Sequence, residues 1–129
     1  MRESGVLEIN TFTNQLCTYT LQITANPKNF PTDQQSFTEK IRDCAIEIHL
    51  LCWEANNIRV DQSEERYRRR IGLQAKAADL CNRLAALINI AKSLFHLETR
   101  RVTHWMTMVL NVRNKIRAWY ESDATRLKP

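Results

Sequence analysis

Two glycines and three prolines are all the backbone punctuation this 129-residue sequence contains. So few turn residues exclude an all-β sandwich, a collagen-like repeat and a flexible linker, and leave an all-helical chain. Long apolar runs are missing as well. Nothing approaches the roughly 18 residues of a membrane span, and Met1 to Asn10 has no apolar stretch of the signal-peptide kind, so a soluble, intracellular protein is expected.

Catalytic signatures are also absent. There is no G-x-S-x-G, no Walker loop and no G-x-G-x-x-G, and two glycines are too few to build a loop that cradles phosphate. His49, His96 and His104 share no i, i+4 relation, and no carboxylate–histidine spacing repeats as it would in a di-iron bundle. Cys17, Cys44, Cys52 and Cys81 stand 27, 8 and 29 residues apart, which matches neither a C-x-x-C redox pair nor zinc-ligand spacing, so four free thiols are expected. Adjacent acids such as Glu64 and Glu65 point to different helix faces and cannot form an acid/base couple. The sequence predicts no enzyme, no metal and no cofactor.

What the chain does have is helical periodicity. Ile9, Phe12, Leu16, Tyr19 and Ile23 step by three and four residues, and the pattern stops before Asn26-Pro27. A second stripe is Phe37, Ile41, Cys44, Ile48, Leu51, Ala55 and Ile58, widened by Ile46, Leu50 and Trp53 into a face broad enough for two neighbours. A third is Leu73, Ala77, Leu80, Leu84, Leu87, Ala91 and Leu94, and a fourth is Val102, Trp105, Val109, Val112, Ile116 and Trp119.

Thr32 with Gln35 or Ser36 with Glu39, then Asp61 with Glu64, read as capping boxes for the second and third helices, and Thr99 as a cap for the fourth. The expected helices are therefore about 8–25, 33–59, 62–95 and 99–122, with 123–129 a frayed tail. Four amphipathic helices with short connections fold most simply as one antiparallel up-down-up-down four-helix bundle.

Charge is segregated along the chain. Residues 1–65 carry five basic and ten acidic side chains, whereas residues 66–129 carry fourteen basic and four acidic ones. That asymmetry points to an acidic partner for the second half, nucleic acid being the default because phosphates reward any dense cationic surface. Arg69, Lys76 and Arg83 recur every seven residues and form one row on the third helix, with Arg66, Arg68 and Arg70 crowding its start. The same row would serve as a salt-bridged flank if it met Glu39, Glu47 or Glu54 on a neighbouring helix or subunit. On the fourth helix, Arg100 and Arg101 oppose the helix dipole at its N-terminal end, while Arg113, Lys115 and Arg117 sit where the dipole favours them. Trp105 and Trp119 fit the apolar stripe and are expected in the core.

Several short features stand in a telling order: Pro27-Lys28 after the first helix, Ala55-Asn56 closing the second, then Arg68-x-Arg70-x-x-x-Gln74 followed by Ala77, Leu80 and Leu84, and Ile116-Arg117-Ala118-Trp119-Tyr120-Glu121-Ser122 closing the fourth. From about Leu7 to Ser122 the chain resembles the accessory variability determinant (Avd) proteins of diversity-generating retroelements, in the wider four-helix-bundle group that includes the intervening-sequence proteins of ribosomal RNA genes. The resemblance implies a homopentameric barrel of bundles, cytoplasmic and encoded by a bacterium or phage. It implies binding of the retroelement's reverse transcriptase and template RNA, in support of mutagenic, adenine-directed cDNA synthesis catalysed by the partner. The family's basic character maps onto Arg66, Arg69, Arg70, Lys76, Arg83, Arg100, Arg101, Arg113 and Arg117. The acidic first half departs from that pattern and offers a seam to basic residues of a neighbouring subunit. The alternative is a structural or protein-interaction bundle of the intervening-sequence type.

Overall fold

The computed structural model describes residues 2–129, with side chains from Glu8 onward. The expected lack of an apolar leader therefore rests on residues that lie mostly outside the described side chains. Four helices make up the chain: α1 (Arg2–Ile23), α2 (Gln35–Asn56), α3 (Glu64–Phe95) and α4 (Thr99–Arg126), with a short 3₁₀ turn at Thr32–Gln34 and no strand among the described residues. Each helix packs on its neighbours in the chain and α1 closes on α4, the arrangement of an up-down-up-down four-helix bundle. One core cluster draws on all four helices. No described helix is long and apolar enough to cross a membrane.

α4 follows its sequence stripe, and Val102, Trp105, Val109, Val112, Ile116 and Trp119 are all buried. Trp105 is fully enclosed, which removes on the order of 5 kcal/mol worth of apolar surface from water. In the connection after α1, Phe30 turns inward and stacks edge-on against Phe95 and Trp105, with ring centroids 5.3 and 6.2 Å away. It plugs one end of the bundle.

α2 keeps its stripe from Ile41 to Ala55 but not the full width of its expected face, and α1 and α3 depart from theirs in part. In α1 the deepest positions are Ile9, Thr13, Leu16 and Thr20, with Thr24 buried just past its end, while Phe12, Tyr19 and Ile23 are only half-buried against the core. Threonine tolerates this because its hydroxyl finds an acceptor or donor nearby: Thr24 Oγ1 donates to Thr20 O at 2.7 Å, and Thr20 Oγ1 accepts from Trp105 Nε1 at 3.1 Å. In α2 the inner face is Ile41, Cys44, Ala45, Ile48, Leu51, Cys52 and Ala55, whereas Leu50 and Trp53 are half exposed. In α3 Ala77, Leu84 and Ala91 of the expected stripe are buried, but the rest of the seam is Tyr67, Arg70, Gln74, Cys81 and Ile88, the last three each one residue on from Leu73, Leu80 and Leu87. Leu73, Leu80 and Leu87 are half-buried and Leu94 is 46% exposed. The leucine row lost the centre because the true seam includes an arginine and a glutamine, which an apolar pattern search passes over.

Helix boundaries shift for local reasons. Thr32 lies in the 3₁₀ turn and α2 starts at Gln35, so neither expected box caps it; its N-cap is Gln34, with no side-chain bond. Asp61 has φ 46° and cannot take the extended backbone an N-cap needs. Ser63 caps α3 instead, its Oγ accepting from Arg66 N at 3.2 Å. Glu98, not Thr99, precedes α4, again without a side-chain cap bond. The second helix stops at Asn56, three residues short of the expected end. The supposed tail is helical through Arg126, and Asp123 within it is fully buried.

Candidate nucleic-acid interface and the buried arginine clamp

The nine arginine and lysine candidates do not form one surface. Arg70 is removed from it outright: its side chain is 11% exposed and its Nε donates to Asp123 Oδ2 at 2.9 Å. Its Nη1 donates to the carbonyls of Ala55 and Ile58 at 3.3 and 2.9 Å, the first of which also accepts from Ile58 N at 3.2 Å, so the guanidinium closes over the end of α2. Its guanidinium carbon lies 5.5 Å from the Trp119 ring centroid. Gln74 Nε2 donates to the same Asp123 oxygen at 2.8 Å, Arg126 reaches the other oxygen at 2.6 Å, and Tyr67 donates to Ala124 O at 2.5 Å. Arg70 and Gln74 are thus structural groups binding α2, α3 and α4 at one end of the bundle.

Two more candidates have carboxylate partners. Arg69 Nη2 meets Glu54 Oε2 at 2.6 Å, the acid that a flank-pairing role required, and Arg66 lies 3.8 Å from Asp61. Both pairs are more than half exposed on the arginine side, so they add little to stability. Arg113 is held by amides, donating to Asn82 Oδ1 at 3.0 Å and Asn114 Oδ1 at 3.3 Å.

Among the described residues, Lys76, Arg83, Arg100, Arg101 and Arg117 have no carboxylate within 4.0 Å. Lys76 and Arg83 continue the Arg69 row along the α2 side of α3, a row about 21 Å long at 1.5 Å per residue. Arg113 and Arg117 flank α3 from the other side. The Arg113–Asn82 and Arg70–Asp123 bonds fix the antiparallel register, which sets Arg113 level with Arg83 and Arg117 level with Lys76. The outer surface of α3 therefore has paired cations along both margins. Arg100 and Arg101 stand at the far end of the bundle, and Arg101 belongs to a 340 Å³ cleft with Tyr19, Gln22, Ile23 and Asn26, beside α1.

The remaining chemistry is quiet. All four cysteines are free, and burial pushes the Cys44 thiol up to about 11 and those of Cys52 and Cys81 up to about 12; burial also raises Cys17. Thiols held protonated in this way are poor nucleophiles and poor metal ligands. Among the described residues no three His, Cys, Asp or Glu side chains gather into a metal site.

Asp123 is the residue that sequence reasoning missed. The signal was present, because Trp119 plus four continues the α4 stripe to that position. A carboxylate on an apolar seam calls for a buried cation, and Arg70 is that cation. The chain matches no protein-family model, no curated protein and no solved structure.

Proposed function

We propose that this protein is a non-enzymatic accessory subunit of a diversity-generating retroelement. In this reading it acts in the cytoplasm of a bacterial host, binds the reverse transcriptase and template RNA, and holds them together at high effective concentration while the partner carries out mutagenic cDNA synthesis. The observation that carries the reading is the outer surface of α3, where Lys76, Arg83 and Arg117 lack carboxylate partners among the described residues. Arg69, Arg66 and Arg113 border that surface with weaker commitments, and a dense cationic strip on a rigid helix is suited to tracking a phosphate backbone.

Assembly into a homopentamer is part of the proposal. Ile90 and Leu94 are 51% and 46% exposed on α3, and apolar side chains of this size at a helix surface favour a protein neighbour. The test is a titration of the purified full chain against structured RNA over a range of salt, paired with co-purification of the neighbouring reverse transcriptase. Affinity should fall linearly in log–log form with salt; affinity indifferent to salt would overturn phosphate recognition.

The second reading is a structural bundle of the intervening-sequence type, whose charges serve helix and subunit pairing. The 2.6 Å Arg69–Glu54 bond favours it. It requires that replacing Arg69, Lys76 and Arg83 dissociate the assembly with little RNA binding to lose.

A further inference from the structure

The groove between α1 and α2 is lined chiefly by side-chain amides. It is a 580 Å³ cleft, within the size range of small-molecule sites, and among the described residues no charged side chain lines it. Five carboxamides do: Asn10, Asn14 and Gln15 from α1, Asn56 from the end of α2 and Asn57 beyond it. Trp53 stands beside them, 54% exposed, although a tryptophan normally contributes its large area to a core. His49 lies next to Trp53 with ring centroids 6.0 Å apart, and its Nδ1 is fixed 2.7 Å from Thr13 Oγ1. Burial lowers the His49 pKa, so the ring is neutral near pH 7 and adds no charge to the cleft. Asn10 keeps its Oδ1 buried without a hydrogen-bond partner.

These groups suit one kind of ligand. A carboxamide presents a donor and an acceptor side by side, the pairing that reads the edge of a nucleobase, and an indole face offers stacking to any flat heteroaromatic ring. A phosphate group finds no cation among the described residues of the cleft, so the base and not the backbone would be the anchor. Arg59, two residues beyond Asn57 and 87% exposed on its side chain, lies 3.9 Å from Asp61, an exposed pair weak enough for a phosphate attached to a bound base to displace. We propose that the α1–α2 cleft is a nucleobase-binding site, in which the base stacks on Trp53 and is held at its edge by the surrounding Asn and Gln side chains. The base arrives either as a free nucleoside or as an unpaired residue of a single strand.

The site does not depend on the cationic strip of α3, and the test keeps the two apart by using nucleosides, which lack phosphate. Trp105 and Trp119 are buried, so quenching of tryptophan fluorescence by added nucleoside reports on Trp53. Saturable quenching that does not change with salt is expected, and calorimetry with Trp53→Ala and with Asn14→Ala should show affinity reduced about tenfold or more for the tryptophan and several-fold for the amide. Thermal melts confirm that both variants fold, since both side chains are surface groups. A short single-stranded oligonucleotide binding more tightly than its nucleoside, with that gain lost in Arg59→Ala, assigns the natural ligand to a strand; equal affinities assign it to a free nucleoside. No saturable quenching, undiminished affinity in Trp53→Ala, or equal binding of a neutral sugar lacking a base would each overturn the proposal.

Discussion

The guanidinium of Arg70 and the carboxylate of Asp123 meet at 2.9 Å with side-chain exposures of 11% and 1%, joining the start of α3 to the end of α4 across 53 residues of chain. Removing Asp123 leaves the enclosed Arg70 guanidinium without a carboxylate, which costs about 3 to 5 kcal/mol, whereas removing Arg70 costs less because Arg126 and Gln74 still hold Asp123.

Asp123→Ala is therefore expected to lower the melting temperature by roughly 10 to 20 °C, and Arg70→Ala by a smaller amount. Replacing both together with Met and Leu should recover much of the loss, because an apolar pair avoids the desolvation of two ions. Thermal and urea melts check this. Below its melting temperature Arg70→Ala should bind RNA as the parent does, which separates the clamp from the cationic surface.

Lys76→Ala with Arg83→Ala should flatten the dependence of log affinity for RNA on log salt by about 1.5, as each lost phosphate contact removes roughly 0.7 to 0.9 from the slope. Arg100→Ala with Arg101→Ala, at the other end of the bundle, should leave that slope unchanged if the strip on α3 is the binding surface. Filter binding at several salt concentrations measures both.

Ile90→Asp with Leu94→Asp places two carboxylates on the apolar end of α3. Sedimentation should show the assembly reduced to monomers with the helical content intact, because both residues are about half exposed within the single chain. A monomeric parent protein would contradict the assembly directly.

The buried thiols set an alkaline limit. Their pKa values in the folded chain lie above the ordinary thiol value of about 8.5, so the unfolded state loses thiol protons first as pH rises. Stability is fully present below about pH 8.5 and should decline progressively toward pH 11 to 12. Chemical denaturation at a series of pH values reads the slope, and Cys52→Ala with Cys81→Ala should flatten it. At neutral pH the buried cysteines Cys44, Cys52 and Cys81 should resist a thiol reagent until the chain is unfolded, with the half-buried Cys17 the first to react.

Much of the bundle was readable from spacing alone, and α4 most of all. Its stripe has large apolar residues at every seam position as far as Trp119, so the inward face admits one choice. In α2 the stripe from Ile41 to Ala55 was legible but the width of the face was not, because eleven apolar residues span more than half its circumference. Leu50 and Trp53 belong to that arc, yet the neighbours cover only the Ile41–Ile48–Ala55 side. In α1 and α3 the seam itself includes Thr13, Thr20, Arg70 and Gln74, residues whose burial depends on partners from other helices.

The candidate interface divides along the same line. Charge segregation put the cations in the second half of the chain, and the seven-residue spacing put Arg69, Lys76 and Arg83 in one row. Which of the arginines meet water was beyond either signal, since a guanidinium can grip phosphate, a carboxylate or backbone carbonyls with the same five donors. Arg69 and Arg70 are adjacent in the chain, about 100° apart around the helix, and one reaches solvent while the other is enclosed.

The sequence by itself determined the helical class, the count of four helices and the inward face of the last one, because backbone propensity and a 3.6-residue period act locally. The tertiary structure alone decided that Asp123 is a core residue, that Arg70 is its partner and that Trp53 faces a cleft of amides. Those outcomes depend on where residues tens of positions apart are brought together by helix packing, and local periodicity contains no term for that.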